Sequence, residues 1–152
     1  MKLESTADVM RQDDVAAQLA AAWNCEWSSM GPYGAFDVYM TRGKKVVALV
    51  EIKTTDLRDL GSRPFVYFDL HKYLNLHHAE IVTGIPTFYV YAMNDGIFWV
   101  RVADLPVREL DISKRGRADR EGLKDAKPTI GVPADRFVRI SPKTALVDCG
   151  AP

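Results

Sequence analysis

From residue 6 to 23, Val9, Met10, Val15, Ala16, Leu19, Ala20 and Trp23 recur at intervals of three and four with alanines between them, which predicts an amphipathic helix. Ser28, Ser29, Gly31, Pro32 and Gly34 then form a cluster of turn formers, and a β-prone segment, 35–40, follows it. Thr41-Arg42-Gly43-Lys44 leads into the run 45–53, whose β-branched apolar residues predict a central strand covered on both faces. Asp69 is placed to cap a second helix with Leu70, Tyr73, Leu74, His77 and Ile81 along one side and Gly84 and Pro86 as its stop. Two aromatic-rich runs, 87–93 and 97–102, are joined by Asn94-Asp95-Gly96, a strong hairpin signal. Residues 108–127 mix Arg108, Lys114, Arg115, Arg117, Arg120, Lys124 and Lys127 with acids and two glycines, so an exposed basic loop is expected there. Short strands are expected near Ile130 and Phe137.

The order helix, hairpin, helix, hairpin, without an internal repeat, predicts an α/β sandwich around a mixed sheet. A chain of 152 residues fits a single domain, 1–152. With 47% hydrophobic and 26% charged residues the composition is that of a globular protein, which excludes disordered and low-complexity classes. No run approaches the roughly 18 to 20 apolar residues of a membrane span, and Met1-Lys2-Leu3-Glu4-Ser5 lacks the apolar core of a signal peptide, so a cytoplasmic protein without a membrane partner is expected.

The net charge is zero, which neither requires nor excludes a polyanionic partner, but its distribution is uneven. Residues 1–41 carry two basic and six acidic side chains, 42–100 seven and six, and 101–152 eleven and eight, so the net runs −4, +1, +3. Cys25 and Cys149 are too few for a disulfide framework and lack the close spacing of a zinc site, and both are read as reduced and structural.

The chemical anomaly is at the end of the most apolar strand. Side chains alternate along a strand, so Val47, Leu49, Glu51 and Lys53 are expected to share one face, and a carboxylate and an ammonium then continue a core-facing row. Buried charges persist where they offset one another or serve a bound ion, since an unpaired one costs several kcal/mol. Asp37 repeats the anomaly: if the Arg42-Gly43-Lys44 turn pairs the two strands, it arrives near the level of Glu51. Two neighbouring carboxylates repel unless a proton or cation is shared, and hard oxygen donors favour Mg²⁺ or Mn²⁺. Such a cation can activate water and offset charge on a phosphoryl oxygen, and a nearby lysine adds a donor to the same oxygens, which points to phosphodiester hydrolysis.

Asp37, then Glu51-Ile52-Lys53 fourteen residues on, with a helix before and a helix after, resembles the PD-(D/E)XK nuclease superfamily of restriction enzymes, junction resolvases and phage nucleases. The resemblance spans roughly residues 9–102 and implies a restriction-endonuclease-like α/β/α sandwich, a central mixed sheet flanked by helices. It implies that Asp37 and Glu51 bind the metal, with the Ile52 backbone carbonyl as a further ligand. Lys53 would position the attacking water or stabilise the transition state. Because many members add an acid from the first helix, Asp13 is nominated as a ligand, with Asp14 in reserve. Lys72, Arg115 and Arg117 are nominated as nucleic-acid contacts. The segments 69–73, 84–86 and 115–117 also resemble small phage-type nucleases. One departure is that Phe36, not proline, precedes Asp37. The implied protein is a Mg²⁺-dependent DNA nuclease, with Mn²⁺ as substitute and a homodimer possible, in the cytoplasm of a bacterial or phage-infected cell.

Each feature has a structural alternative. Asp37, Glu51 and Lys53 could be an ion-paired sheet edge. In that case the chain is a nucleic-acid- or protein-binding module that keeps the nuclease fold without activity. A third reading is a metal-dependent enzyme on another phosphate ester. His77 and His78 are adjacent, point to different helix faces and are read as structural, as is His71, whose alternative is to assist catalysis beside the site. Trp23, Trp27, Tyr67 and Trp99 sit at core spacing rather than in a base-stacking array.

Overall fold

A computed structural model describes residues 6–54, 59–105, 111–115 and 127–140, with the side chains of 6–10 and 111–115 outside that description. Helix α1, Thr6–Ala22, turns its Val15, Ala16, Leu19, Ala20 and Trp23 stripe onto a sheet. Its carboxyl end is held from the second strand: Arg42 donates Nη2 to the Trp23 carbonyl at 2.8 Å and Nε to the Asn24 carbonyl at 3.2 Å. A cation on the last carbonyls of a helix satisfies acceptors that have no intrahelical partner and complements the negative end of the dipole.

The strands are β1 Glu26–Ser29, β2 Val38–Arg42, β3 Lys45–Thr54, β4 Phe65–Asp69, β5 Thr87–Met93, β6 Gly96–Arg101, β7 Asp111–Arg115, β8 Lys127–Pro133 and β9 Val138–Arg139. Helix α2, Leu70–Thr83, lies between β4 and β5. Among the described residues, six strands form a sheet in the order β1-β2-β3-β5-β6-β9. It is mixed, because β3 and β5 run parallel across the α2 crossover while every other pair is antiparallel. A second sheet has the order β4-β8-β7.

Alternation along β3 and β5 divides the core in two. Ala48, Val50 and Ile52 with Phe88 and Val90 face α1. Tyr89, Tyr91 and Met93 face the other way and pack with Phe98, Val100, Tyr73 and Leu76 of α2, and Phe68, Ile130 and Val132 of the small sheet. The fold is therefore the α/β sandwich expected, with its second outer layer built from α2 and three strands together. Phe68 stacks on Tyr89 with ring centroids 3.9 Å apart, which fastens the small sheet to the central one. Trp23 packs against Phe88 and Trp99, as the core reading of these aromatics requires.

The β2–β3 hairpin closes at Arg42 and Lys45 around Gly43, whose φ of 62° belongs to the region that glycine enters without a Cβ penalty. Asn94 and Asp95 make the second two-residue hairpin loop, with Met93 paired to Gly96. Asp95 also accepts from the Leu60 and Gly61 amides at 2.9 and 3.1 Å, tying the segment after β3 to this turn. Helix α2 starts at Asp69, whose Oδ1 accepts from the His71 amide at 2.8 Å, and stops at Gly84, with φ 70° and its amide donated to the Glu80 carbonyl. Near that end the Glu80 carboxylate accepts from Thr87 N and Oγ1 at 3.1 and 3.3 Å and from Arg101 Nε at 3.2 Å, joining α2 to β5 and β6.

Four expectations change. Glu26–Ser29, which takes in Ser28 and Ser29 of the expected turn cluster, is an edge strand paired with β2. Phe65–Asp69 is a strand as well as the approach to α2, and it pairs with β8. Asp111–Arg115 is a strand of the small sheet rather than loop, because β8 offers it a free edge. Lys127, the last residue of the expected basic loop, begins β8; Arg108, Arg117, Arg120 and Lys124 lie outside the described residues, as does Cys149; Cys25 is a free thiol. Finally, the β2–β3 register shifts between Met40 and Thr41, and Val47 joins the α1 core instead of the face that carries Glu51.

Candidate active site

The β2–β3 register begins with Val38 opposite Val50, which leaves Asp37 beside the stretch of β3 that carries Glu51. Asp37 immediately precedes β2, yet its amide still donates to the Val50 carbonyl at 3.2 Å, and its Oδ2 accepts from the Ile52 amide at 2.7 Å. The carboxylate is thus fixed by the backbone of the strand that bears Glu51. Glu51 is 6% exposed, although it sits in a run flanked by Val50 and Ile52. It pairs with Tyr89 across the parallel ladder, and Lys53 pairs with Tyr91, so the two charged residues share the α2-facing side. Lys53 is exposed, its Nζ 5.7 Å from the centre of the Tyr91 ring.

Lys72 completes the group. Capping by Asp69 makes Leu70, His71 and Lys72 the first three helical residues, and from there the Lys72 ammonium forms a hydrogen-bonded ion pair with Glu51 Oε1. Burial alone would lower the Lys72 pKa. The hydrogen bond to Glu51 and the negative charges of Glu51, Asp37 and Asp69 outweigh it and hold the pKa above the ordinary lysine value. The same field reaches the buried Tyr89 phenol, which desolvation first, then Tyr91 and the charges of Glu51, Asp37 and Asp69, push well above the usual tyrosine range. The site therefore gathers the charges of Asp37, Glu51, Asp69 and Lys72 where β3, β5 and the start of α2 meet.

The other nominated residues are placed as follows. Asp13 and Asp14 are exposed on α1, which packs against the opposite side of the sheet from Glu51, and Asp14 accepts from Gln18 Nε2 at 3.0 Å. The structure does not gather them with Asp37 and Glu51, and among the described residues no three His, Cys, Asp or Glu side chains cluster as a metal site. The side chain of Arg115 and the whole of Arg117 lie outside the described residues. Lys72, nominated for phosphate contact, instead meets a carboxylate. His77 stacks on Tyr73, with centroids 5.8 Å apart, in keeping with a packing role. The Lys72–Glu51 pairing had only one sequence signal, the Asp69 cap that sets the phase of α2; which strand the first turn meets is decided by tertiary packing.

As to a divalent cation, the donor set fits one in kind. The Asp37 carboxylate, held on the Ile52 amide, and the neighbouring Glu51 carboxylate are hard oxygen donors, and Glu51 already holds a cationic group in a buried position.

A family model described as "Phage putative PDDEXK endonuclease" matches residues 1–140. The chain belongs to this PDDEXK endonuclease family. No curated protein matches it. Among solved structures it is similar to Hjc, a Holliday junction resolvase from the hyperthermophile Archaeoglobus fulgidus, with a TM-score of 0.53 and 11% identity over 90% of this chain and 93% of that one. At that identity the likeness is one of fold, and it identifies the mixed sheet and its layers as restriction-endonuclease-like. Among the described residues no helix is long and apolar enough to cross a membrane.

Proposed function

We propose that this PDDEXK family member is a divalent-metal-dependent DNA nuclease. The observation that carries the reading is the Asp37 carboxylate held on the Ile52 amide, next in sequence to the buried Glu51, with Lys53 one alternation beyond Glu51 on the same face of β3. Asp37 and Glu51, with the Ile52 carbonyl, would hold Mg²⁺ or Mn²⁺; Asp13 has no geometric support as a further ligand. When bound, the cation supplies a Lewis acid that acidifies water and offsets charge growing on the phosphoryl group. The chain's own part is to hold the carboxylates in place, Asp37 through the Ile52 amide, and to present the Lys53 ammonium from an exposed position. Lys53 orients the nucleophile and stabilises the transition state electrostatically. Residues 1–152 form a single nuclease-like domain in this reading, acting in the cytoplasm of a bacterial or phage-infected cell, and a homodimer would supply one such centre per strand.

The substrate class rests on the family description and on the junction-resolvase neighbour. A panel of labelled linear duplex, flap, four-way junction, single-stranded DNA and RNA tests it: preferential cleavage of a DNA member supports the reading, and cleavage of RNA alone or of mononucleotide esters alone removes it. Lys53→Ala should lower turnover by roughly 10²-fold while changing DNA affinity less than about threefold. An unchanged single-turnover rate would take Lys53 out of the chemistry.

The Lys72–Glu51 ion pair favours a second reading, a binding module whose acidic site is neutralised internally. It predicts DNA or partner binding that survives Asp37→Asn with no cleavage at any metal concentration.

A further inference from the structure

We propose that Lys72 is a built-in stand-in for the divalent cation: its ammonium occupies the cation's place at Glu51 and exchanges with it when the metal loads. The inference rests on the metal reading above and concerns how that same site is filled. Its ground is that Lys72 binds the Oε1 of the one buried acid among the described residues, while the Asp37 carboxylate is held on the amide of the next residue, Ile52. An ammonium and a divalent cation cannot both sit at bonding distance from one carboxylate oxygen without strong mutual repulsion, so the two are alternatives.

The exchange is mechanically simple. The Lys72 side chain is 49% exposed, against 8% for that of Glu51, so the ammonium can swing toward water on its four-carbon stem while the carboxylate stays where β3 holds it. The N-cap at Asp69 fixes the backbone from which the stem departs, so the released ammonium remains beside the site. There it faces whatever anion the cation recruits, and a phosphodiester suits both cations. Metal loading then becomes coupled to DNA: without substrate, Lys72 competes with the metal; with a phosphate present, the displaced ammonium gains a new partner. Lys72 is a positioning residue in this account.

Direct Mn²⁺ binding to DNA-free protein, read by calorimetry and by the loss of the free-ion electron paramagnetic resonance signal, tests the exchange. Lys72→Met should bind Mn²⁺ at least tenfold more tightly than wild type. The charge-matched control Lys44→Met, in the exposed β2–β3 turn, should change affinity less than twofold, and Lys72→Arg should stay near wild type. Lys72→Gln serves as a second variant should the methionine form fold poorly. In the wild type, the Lys72 side-chain amine resonance should shift as Mg²⁺ is added. Mn²⁺ binding by Lys72→Met and Lys72→Gln that is equal to or weaker than wild type would overturn the exchange while leaving the metal site standing. Absence of Mn²⁺ binding from wild type and both variants would remove the metal reading and this inference with it.

Discussion

Glu51→Gln is expected to reduce the single-turnover cleavage rate by roughly 10³-fold or more, the largest effect of any single change in this protein. Glutamine has nearly the shape of glutamate and keeps an oxygen that can accept from Lys72, so the packing around Tyr89 and the start of α2 should survive. What is lost is the charge. A divalent cation binds oxygen donors largely for their charge, and halving the negative charge of a two-carboxylate site removes most of its attraction. Thermal unfolding should therefore change little, and Mn²⁺ binding should disappear together with activity. A variant that kept a tenth of wild-type activity would place the chemistry elsewhere. Asp37→Asn should behave alike, with the amide oxygen retaining the Ile52 amide as donor.

The largest expected stability effect lies away from the site, at Glu80. Its side chain is 13% exposed and that of Arg101 28%, and one carboxylate collects Thr87 N, Thr87 Oγ1 and two guanidinium nitrogens of Arg101. Glu80→Ala would leave a part-buried cation and a buried amide without their acceptor, at a cost of roughly 3 kcal/mol. For a chain of this size that corresponds to a fall in Tm of roughly 6 to 12 °C. Glu80→Gln, which keeps an acceptor for Thr87 but not the charge, should cost about half as much. Cleavage at a permissive temperature should be near normal in both. A Tm within 2 °C of wild type for Glu80→Ala, read by calorimetry, would show that the α2–β5–β6 junction does not depend on this carboxylate.

Which parts of this arrangement a reader of the sequence can see follows from how local the causes are. Helix α1, the Asp69-capped α2 and both two-residue hairpins are written in periodicity, caps and turn residues within a few positions of each other. Asp37 and Glu51 come together through such a hairpin, which is why their approach is legible. The small sheet is not, because Tyr67 meets Gly131 and Ser113 meets Thr129, pairings between distant segments that no local pattern specifies. Nor is the shift at Met40 and Thr41 that turns Val47 to the α1 side, since a bulge leaves the apolar run unchanged in composition. Lys72 shows the same limit at the site. Its place in the first turn of α2 is a local matter, but its partner depends on the α2 crossover that brings β5 alongside β3. The exposed Asp13 and Asp14 illustrate the converse: an acid on the expected helix is not thereby on the expected face.

The central claim is that the carboxylates of Asp37 and Glu51 serve a cation that enables hydrolysis of DNA. The most direct measurement is cleavage of end-labelled DNA by the purified wild-type protein in EDTA, followed by titration of Mn²⁺ or Mg²⁺ into the same sample. The account predicts no product in EDTA and products that rise with added metal, at concentrations matching those at which Mn²⁺ binds directly. Cleavage undiminished by EDTA, or none at any metal concentration from a folded protein, would contradict it.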